Sequence, residues 1–370
     1  MDLRSILYNR IKRLSEQAAS IDKIVIRNEP NTKEDFQYWK LFNDGVFELN
    51  YIIIDLKNKL VYLDTSPLEK DIAIYNKELY SLDNLEVLSN KPLSAIIDKK
   101  DTVGISFMHS RYTIDAIKNN LDVKEIVDVT NLLSSIRLIK DSYEIDNISK
   151  AADITKKTIE ETFNELRPGL TEKDIEVIFR KNLINNGVME LAFDTIVAID
   201  ENSAMPHHMP SDKKLKENSV VLIDAGAKYN NYCGDITRTI IFKPDKSSSK
   251  YKLFEEVHSL VYKAQQEALR YMTPRYNNKK PAGVAAKIIS NYKDGKFAKY
   301  SFSNIHSLGH SIGLNVHDSD TVVISNYRAR ESVMLQKNSV FSNEPGIYIN
   351  GRFGVRIEDD ILIDDTPKVL

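Results

Sequence analysis

The stretch VVLIDAGAKYNNYCGDITRTIIF, residues 220–242, decides the reading of this chain. Four apolar residues, Val220 to Ile223, demand burial as a strand, yet the run ends on Asp224. Aspartate is depleted in strands and rarely buried without a partner. Taking its charge out of water is costly unless a cation or strong donors meet it. Asp235 follows eleven residues later, after the turn-rich KYNNYCG, at the head of a second strand, GDITRTIIF. Strands joined by so short a loop are expected to pair, bringing the two carboxylates side by side. Either aspartate alone could simply cap a turn. The pair together suggests a shared metal site.

Further polar residues extend this pair. The chain has seven histidines, and three of them, His306, His310 and His317, fall in HSLGHSIGLNVHD. Gly309 and Gly313 let the backbone there approach a neighbour closely. His207 stands in the proline-bracketed loop MPHHMP, a poor core environment and a good site environment. Glu344 ends the strand-like SVFSNE, before Pro345-Gly346. GVRIEDDILI (354–363) reads as one strand, whose alternation puts Val355 and Ile357 on one face and Arg356 and Glu358 on the other. Glu358 is then either a buried ligand or half of a surface ladder with Arg356. Asp224, Asp235, His310, Glu344 and Glu358 form an oxygen-rich set with one imidazole, which suits hard to borderline divalent ions. Four carboxylates match the charge of two such ions, and a paired site can activate water and polarise a carbonyl. No cysteine belongs to the set, so a structural zinc site is not expected.

Around this set the chain divides by character. With 370 residues it suits two or three domains of about 150 residues each. Residues 1–135 read as an α/β unit: strands at KIVIRN (23–28), YIIIDLKNKLVYLD (51–64, two strands) and TVGISF (102–107), then a helix from Arg111. Trp39 and the lone His109 read as core. Residues 136–370 begin with a long helix at 142–166, stopped by Pro168-Gly169, and a second helix with a capping box at Thr171 to Asp174. Strands follow at 193–199, 220–227 and 234–242, helices at 249–272 and 281–291, and strands again at 339–344 and 354–363. The fold class expected is therefore α/β in the first part and α+β in the second, with a repeated helix-helix-strands order.

Composition excludes several classes. At 42% hydrophobic and 28% charged residues the chain is globular in composition, not disordered. Its 51 Lys+Arg against 53 Asp+Glu leave a charge of -2, which disfavours nucleic acid or anionic lipid as partner. Apolar runs such as YIIID fall far short of the ~20 residues of a membrane span. Charges at Asp2, Arg4, Arg10, Lys12, Arg13 and Glu16 argue against a secretory signal. The single cysteine, Cys233, forms no intrachain disulfide and fits a reducing, cytoplasmic setting.

Five segments in order resemble the M24 metallopeptidases, in particular the prolidase and aminopeptidase P branch: PHHMPSDKKLKENSVVLIDAGA (206–227), YCGDITRT (232–239), HSLGHSIGLNVHD (306–318), NEPGIY (343–348) and GVRIED (354–359). IRLIKDSYEI (136–145) resembles the usual start of the catalytic domain, and residues 1–135 more loosely resemble a creatinase-like N-terminal domain. The resemblance implies a pita-bread catalytic domain over 136–370 holding two divalent ions, Mn²⁺ or Co²⁺ foremost and Zn²⁺ as a further option. Asp224, Asp235, His310, Glu344 and Glu358 would be the metal ligands, with Glu344 also acting as general base and then acid. His207, His306 and His317 would hold the substrate's carbonyl or carboxylate, and Arg356, standing behind the ligands, would be a further substrate-binding candidate for the carboxylate after His306. His208 has no counterpart. Ser311 and Asp318 replace a common glycine and glutamate, and PRYNNKKPAG (274–283) is longer than the usual turn. The implied activity is hydrolysis of the bond preceding proline, in Xaa-Pro dipeptides first, by a homodimer. The alternatives are Xaa-Pro aminopeptidase action on longer peptides, methionine aminopeptidase action, and a non-catalytic binding module of the same fold.

Overall fold

The computed structural model describes residues 2–45, 47–48, 50–319, 322–326 and 331–370. It divides into two compact units, Met1–Arg137 and Leu138–Leu370.

The first unit is built on one six-stranded sheet. Its helices are α1 (Leu3–Gln17), α2 (Lys33–Lys40), α3 (Lys70–Leu79), α4 (Arg111–Asn120) and α5 (Thr130–Leu138). Its strands are β1 (Lys23–Arg27), β2 (Tyr51–Asp55), β3 (Leu60–Thr65), β4 (Leu85–Ser89), β5 (Thr102–Ile105) and β6 (Glu125–Asp128), in the order β4-β3-β2-β1-β5-β6. β1 to β3 run antiparallel, while α3 and α4 carry the crossovers to the parallel strands β4 and β6. The apolar runs noted in the sequence explain the core: Val25, Ile53, Val103 and Ile105 pack together behind the sheet. His109 is structural. Its Nδ1–H donates to the Ser106 carbonyl at 2.7 Å and its Nε2 accepts the Arg27 N–H at 2.9 Å. Trp39 is buried, as expected.

The second unit opens with α6 (Ser142–Asn164) and α7 (Glu172–Asn185). Each starts at a capping box, Asp141 with Glu144 and Thr171 with Asp174, and the second of these was legible in the sequence. β7 (Ile196–Ile199), β8 (Ser219–Ala225) and β11 (Ile236–Phe242) form an antiparallel sheet in the order β11-β8-β7. The hairpin of β9 (Lys228–Tyr229) and β10 (Tyr232–Cys233) interrupts the loop between β8 and β11. α8 (Ser249–Leu269) and α9 (Lys279–Ser290) follow. α9 starts inside the long turn 274–283 because Pro281 falls in its first turn, where the missing N–H has no helical partner to lose. Asn278 anchors that turn, donating to the Val323 carbonyl and accepting the Val333 N–H. β12 (Val340–Asn343), β15 (Asp359–Leu362) and β16 (Lys368–Val369) make one sheet, and β13 (Gly346–Ile349) pairs with β14 (Phe353–Arg356). The core lies between α8, α9 and these strands, where Val257, Val261, Ala264, Ala285, Ile347 and Val355 meet. Burying each larger side chain there is worth about 1.5–3 kcal/mol. No helix among the described residues is long and apolar enough to cross a membrane.

Two expectations need correction. Residues 354–363 are not one strand. β14 pairs with β13 and β15 with β12, and the chain changes partner at Ile357-Glu358. There the Glu358 N–H goes instead to the Thr237 carbonyl of β11, at 3.1 Å. The segment 193–199 is strand only from Ile196 onward, and Phe193 lines a cavity instead.

Candidate metal centre

The register of β8 and β11 fixes the first two carboxylates. Asp224 pairs with Thr237 and Ala225 with Ile236. Paired residues share a face, so Asp224 and Thr237 point together, and Asp235, two residues from Thr237, joins them diagonally. The carboxylates are neighbours as expected, but not directly opposite. Asp235 is held from behind by Asp360, whose Oδ2 accepts the Asp235 N–H at 3.0 Å.

The histidine-bearing segment is brought in by close backbone contacts. Cys233 of β10 donates its N–H to the Gly313 carbonyl at 2.8 Å. Gly309 lies against β12, where a Cβ would come within 2.0 Å of the Ser342 carbonyl oxygen. At Gly313 a Cβ would meet the Asp318 carboxylate at 2.4 Å. That carboxylate forms a buried 2.7 Å ion pair with Lys140. Both glycines therefore serve close approach, as the sequence suggested, and the pair Lys140–Asp318 ties down the segment next to His317.

These elements surround a cavity of about 340 Å³. It is lined by all nine residues singled out in the sequence: Asp224, Asp235, His310, Glu344, Glu358, His207, His306, His317 and Arg356. Asp224, Asp235, Arg356 and Glu358 are 7%, 4%, 3% and 2% exposed, which disposes of the surface ladder for Arg356 and Glu358. One ligand atom each from Asp235, His310 and Glu358 lies within 4.8 Å of the others. His310 Nε2 is 3.5 Å from both Asp235 Oδ2 and Glu344 Oε1. Arg356 binds Asp224 Oδ2 at 2.5 Å, Tyr348 Oη at 3.0 Å and Thr237 Oγ1 at 3.1 Å.

The histidines differ in their surroundings. His306 has both ring nitrogens engaged: Nδ1–H donates to the Ser307 carbonyl at 2.7 Å, and Nε2 accepts from Tyr348 at 2.8 Å. Burial pushes the Tyr348 phenol up to about 12, so it keeps the proton it donates. The exposed His317 ring stacks on His310 at 3.8 Å. His207 is exposed to the cavity. His208, its neighbour, turns away and binds Glu172.

The electrostatics call for cations. Burial, and then neighbouring carboxylates, push Asp235 and Glu344 well above the ordinary carboxylate range. The same causes push Glu358 up to about 8, with Asp224 the main neighbour. Burial, and then His317, lower His310 to about 3, leaving a neutral ring with a lone pair. Among the described lining residues only Arg356 supplies a permanent positive charge. Among the described residues Asp224 Oδ1 is buried without a hydrogen-bond partner. A frustrated carboxylate cluster, an orphaned oxygen and a neutral imidazole fit a divalent metal centre. Sequence reasoning missed Tyr348, Thr237 and Asp360. Tyr348 and Thr237 sit inside motifs read only for their charged members, and Asp360 was part of an acidic run with no visible reason to be buried.

Residues 146–365 match the metallopeptidase family M24. The chain belongs to that family. A Xaa-Pro dipeptidase of Pyrococcus furiosus is 32% identical over 316 residues, 85% of either chain. The solved prolidase from Pyrococcus furiosus has a TM-score of 0.78 at 31% identity, over 97% of this chain and 98% of that one. The X-Pro aminopeptidase from Thermotoga maritima has a TM-score of 0.82 at 30% identity, over 96% and 97%. The pita-bread fold of the M24 peptidases, the fold class expected from the motifs, is the one present, and the chain is a metallopeptidase.

Proposed function

We propose that this metallopeptidase hydrolyses the peptide bond preceding proline, with Xaa-Pro dipeptides as its preferred substrates. The observation that carries the reading is the convergence of Asp224, Asp235, His310, Glu344 and Glu358 on one cavity. These five residues would hold two divalent ions, Mn²⁺ or Co²⁺ before Zn²⁺ because the donors are mostly oxygen. When bound, such ions lower the pKa of water and polarise a carbonyl. The remaining chemistry belongs to the chain. Glu344 lies between His310 and His306, with Oε2 3.6 Å from His306 Nδ1, where it takes a proton from the attacking water. It returns that proton to the departing ring nitrogen, which must be protonated to leave as an amine. His207 and His317 face the cavity and donate to the carbonyl oxygen or to the substrate carboxylate. His306, with both nitrogens engaged, contributes by exchanging one of those bonds for a substrate contact. Arg356 holds Asp224 in place.

The cavity, about 340 Å³, sits at the small end of ligand pockets, roughly 300–1,000 Å³. That supports a dipeptide over a longer chain. The likeness to an X-Pro aminopeptidase, whose TM-score is 0.82, favours the second reading, action on longer Xaa-Pro peptides. Measuring kcat/KM for Ala-Pro, Met-Pro and Leu-Pro against Xaa-Pro-Xaa peptides under one metal separates the two. Higher values for the dipeptides are expected, and equal or better use of longer peptides moves the assignment to the aminopeptidase. A homodimer and a cytoplasmic setting complete the proposal, and the single buried cysteine is in keeping with the second of these.

A further inference from the structure

Glu172 opens α7 and is wholly buried, at 0% exposure. A carboxylate so placed needs several donors to remain charged, and among the described residues its donors all lie between Ile199, at the end of β7, and Ser211. Oε1 accepts the Ile199 N–H at 2.7 Å and the Asn202 amide at 2.9 Å. Oε2 accepts His208 Nε2–H at 2.8 Å, the Ser211 N–H at 2.9 Å and the Ser211 hydroxyl at 2.5 Å. Burial works to raise its pKa, but the bonds from Ser211, His208, Asn202 and Ile199 outweigh it and hold the carboxyl below its usual range. Four residues between 199 and 211 thus converge on one anion. Pro206 and His207, which sit between these anchors, line the cavity. No ring hydrogen bond holds His207 itself among the described residues, so its place depends on its flanks. A second anchor, Ser203, bonds the Gly354 N–H at 2.8 Å, two residues from Arg356.

We infer that Glu172 is a positioning residue for His207: its carboxylate, through His208, Ser211, Asn202 and Ile199, clamps both sides of the loop that presents the His207 ring to substrate. This rests on the proposed role of His207 in holding the substrate. It also gives His208 a task, as the clamp's imidazole and not a ligand of the substrate. Turning Glu172 into glutamine sets an amide N–H₂ against donors, so the loop loses its anchor while the metal ligands, on β8, β11 and the later segments, keep theirs.

The test uses the full-length, metal-loaded protein. Glu172→Gln should retain its metal content, speed amide hydrogen exchange across 199–211 relative to 219–242, and lower kcat/KM by up to about 10²-fold, the cost of roughly 1 Å of misplacement. The double variant Glu172→Gln/His207→Ala should be no slower than His207→Ala alone, because the clamp acts through that ring. Multiplicative losses, or exchange in 199–211 that does not change, overturn the inference. If Glu172→Gln fails to fold, His208→Ala removes one donor and must show the same pattern in weaker form. Absence of Xaa-Pro cleavage by the unaltered protein would defeat the functional reading instead, and the exchange comparison would still decide the clamp.

Discussion

Replacing Tyr348 by phenylalanine removes one oxygen from the centre of the relay Asp224–Arg356–Tyr348–His306. Tyr348 is 1% exposed, so no water stands ready to replace the hydroxyl. Two partners are left behind: Arg356 Nη1, 3.0 Å away, and His306 Nε2, 2.8 Å away. An abandoned buried partner costs about 1–3 kcal/mol, more when it is charged. The two together suggest a loss of about 2–6 kcal/mol. For a unit of this size each kcal/mol moves Tm by about 2–4 °C, so the fall should be roughly 4–24 °C. Catalysis should suffer separately. Without the phenol, His306 keeps its Nδ1–H bond to the Ser307 carbonyl but loses the donor that fixes Nε2, so the ring is held at one end only and can tilt away from Glu344. We expect kcat/KM for Ala-Pro to fall about 10-fold or more while both metals stay bound, since no proposed ligand is touched. Calorimetry, metal analysis and steady-state kinetics on one preparation provide the assay. A Tm within about 2 °C of the unaltered protein together with unchanged kcat/KM would refute the relay.

Other outcomes follow from the same geometry. His317→Ala should keep the metals and lower kcat by roughly 10²–10³-fold, by analogy with the loss of an oxyanion donor; an unchanged kcat with a raised KM would make His317 a uniform binding group. Because the Glu172 carboxyl is held below its unfolded value of about 4.5, its contribution to stability is present above that pH and lost as pH falls through the folded value. Acid unfolding curves should therefore be shallower below about pH 4.5 in Glu172→Gln than in the unaltered protein, and identical slopes would contradict the buried network. Chelation should abolish activity, with Mn²⁺ or Co²⁺ restoring it, and full activity of a demetallated preparation would remove the metal from the account.

Much of this was legible in the sequence because its signals were chemical mismatches. An aspartate closing an apolar strand, and histidines spaced by glycines, have few physical explanations, and all nine residues so chosen line one cavity. Elements with a strong period and a marked end, such as the helix opened by Thr171, were readable for the same reason. What escaped depended on tertiary context. GVRIEDDILI alternates like a single strand, and only the competing partners β13 and β12 reveal the break that turns Glu358 inward. Tyr348 looks like another strand aromatic until Arg356 and His306 are brought to its hydroxyl. Glu172 looks like a helix-start acid, and its five donors arrive from 27 to 39 residues along the chain. The short strands β4 and β6 lack a pattern of their own and owe their state to parallel pairing with β3 and β5.

The central claim is that Asp235 belongs to a centre of two divalent ions that the activity requires. Metal content per chain, measured on the unaltered protein and on Asp235→Asn beside their Ala-Pro hydrolysis, tests it most directly. The amide keeps the shape of the side chain but removes a charge that the cations need. The account predicts two ions per chain in the unaltered protein, and joint loss of metal and activity in the variant. Two ions retained by an active Asp235→Asn would contradict it.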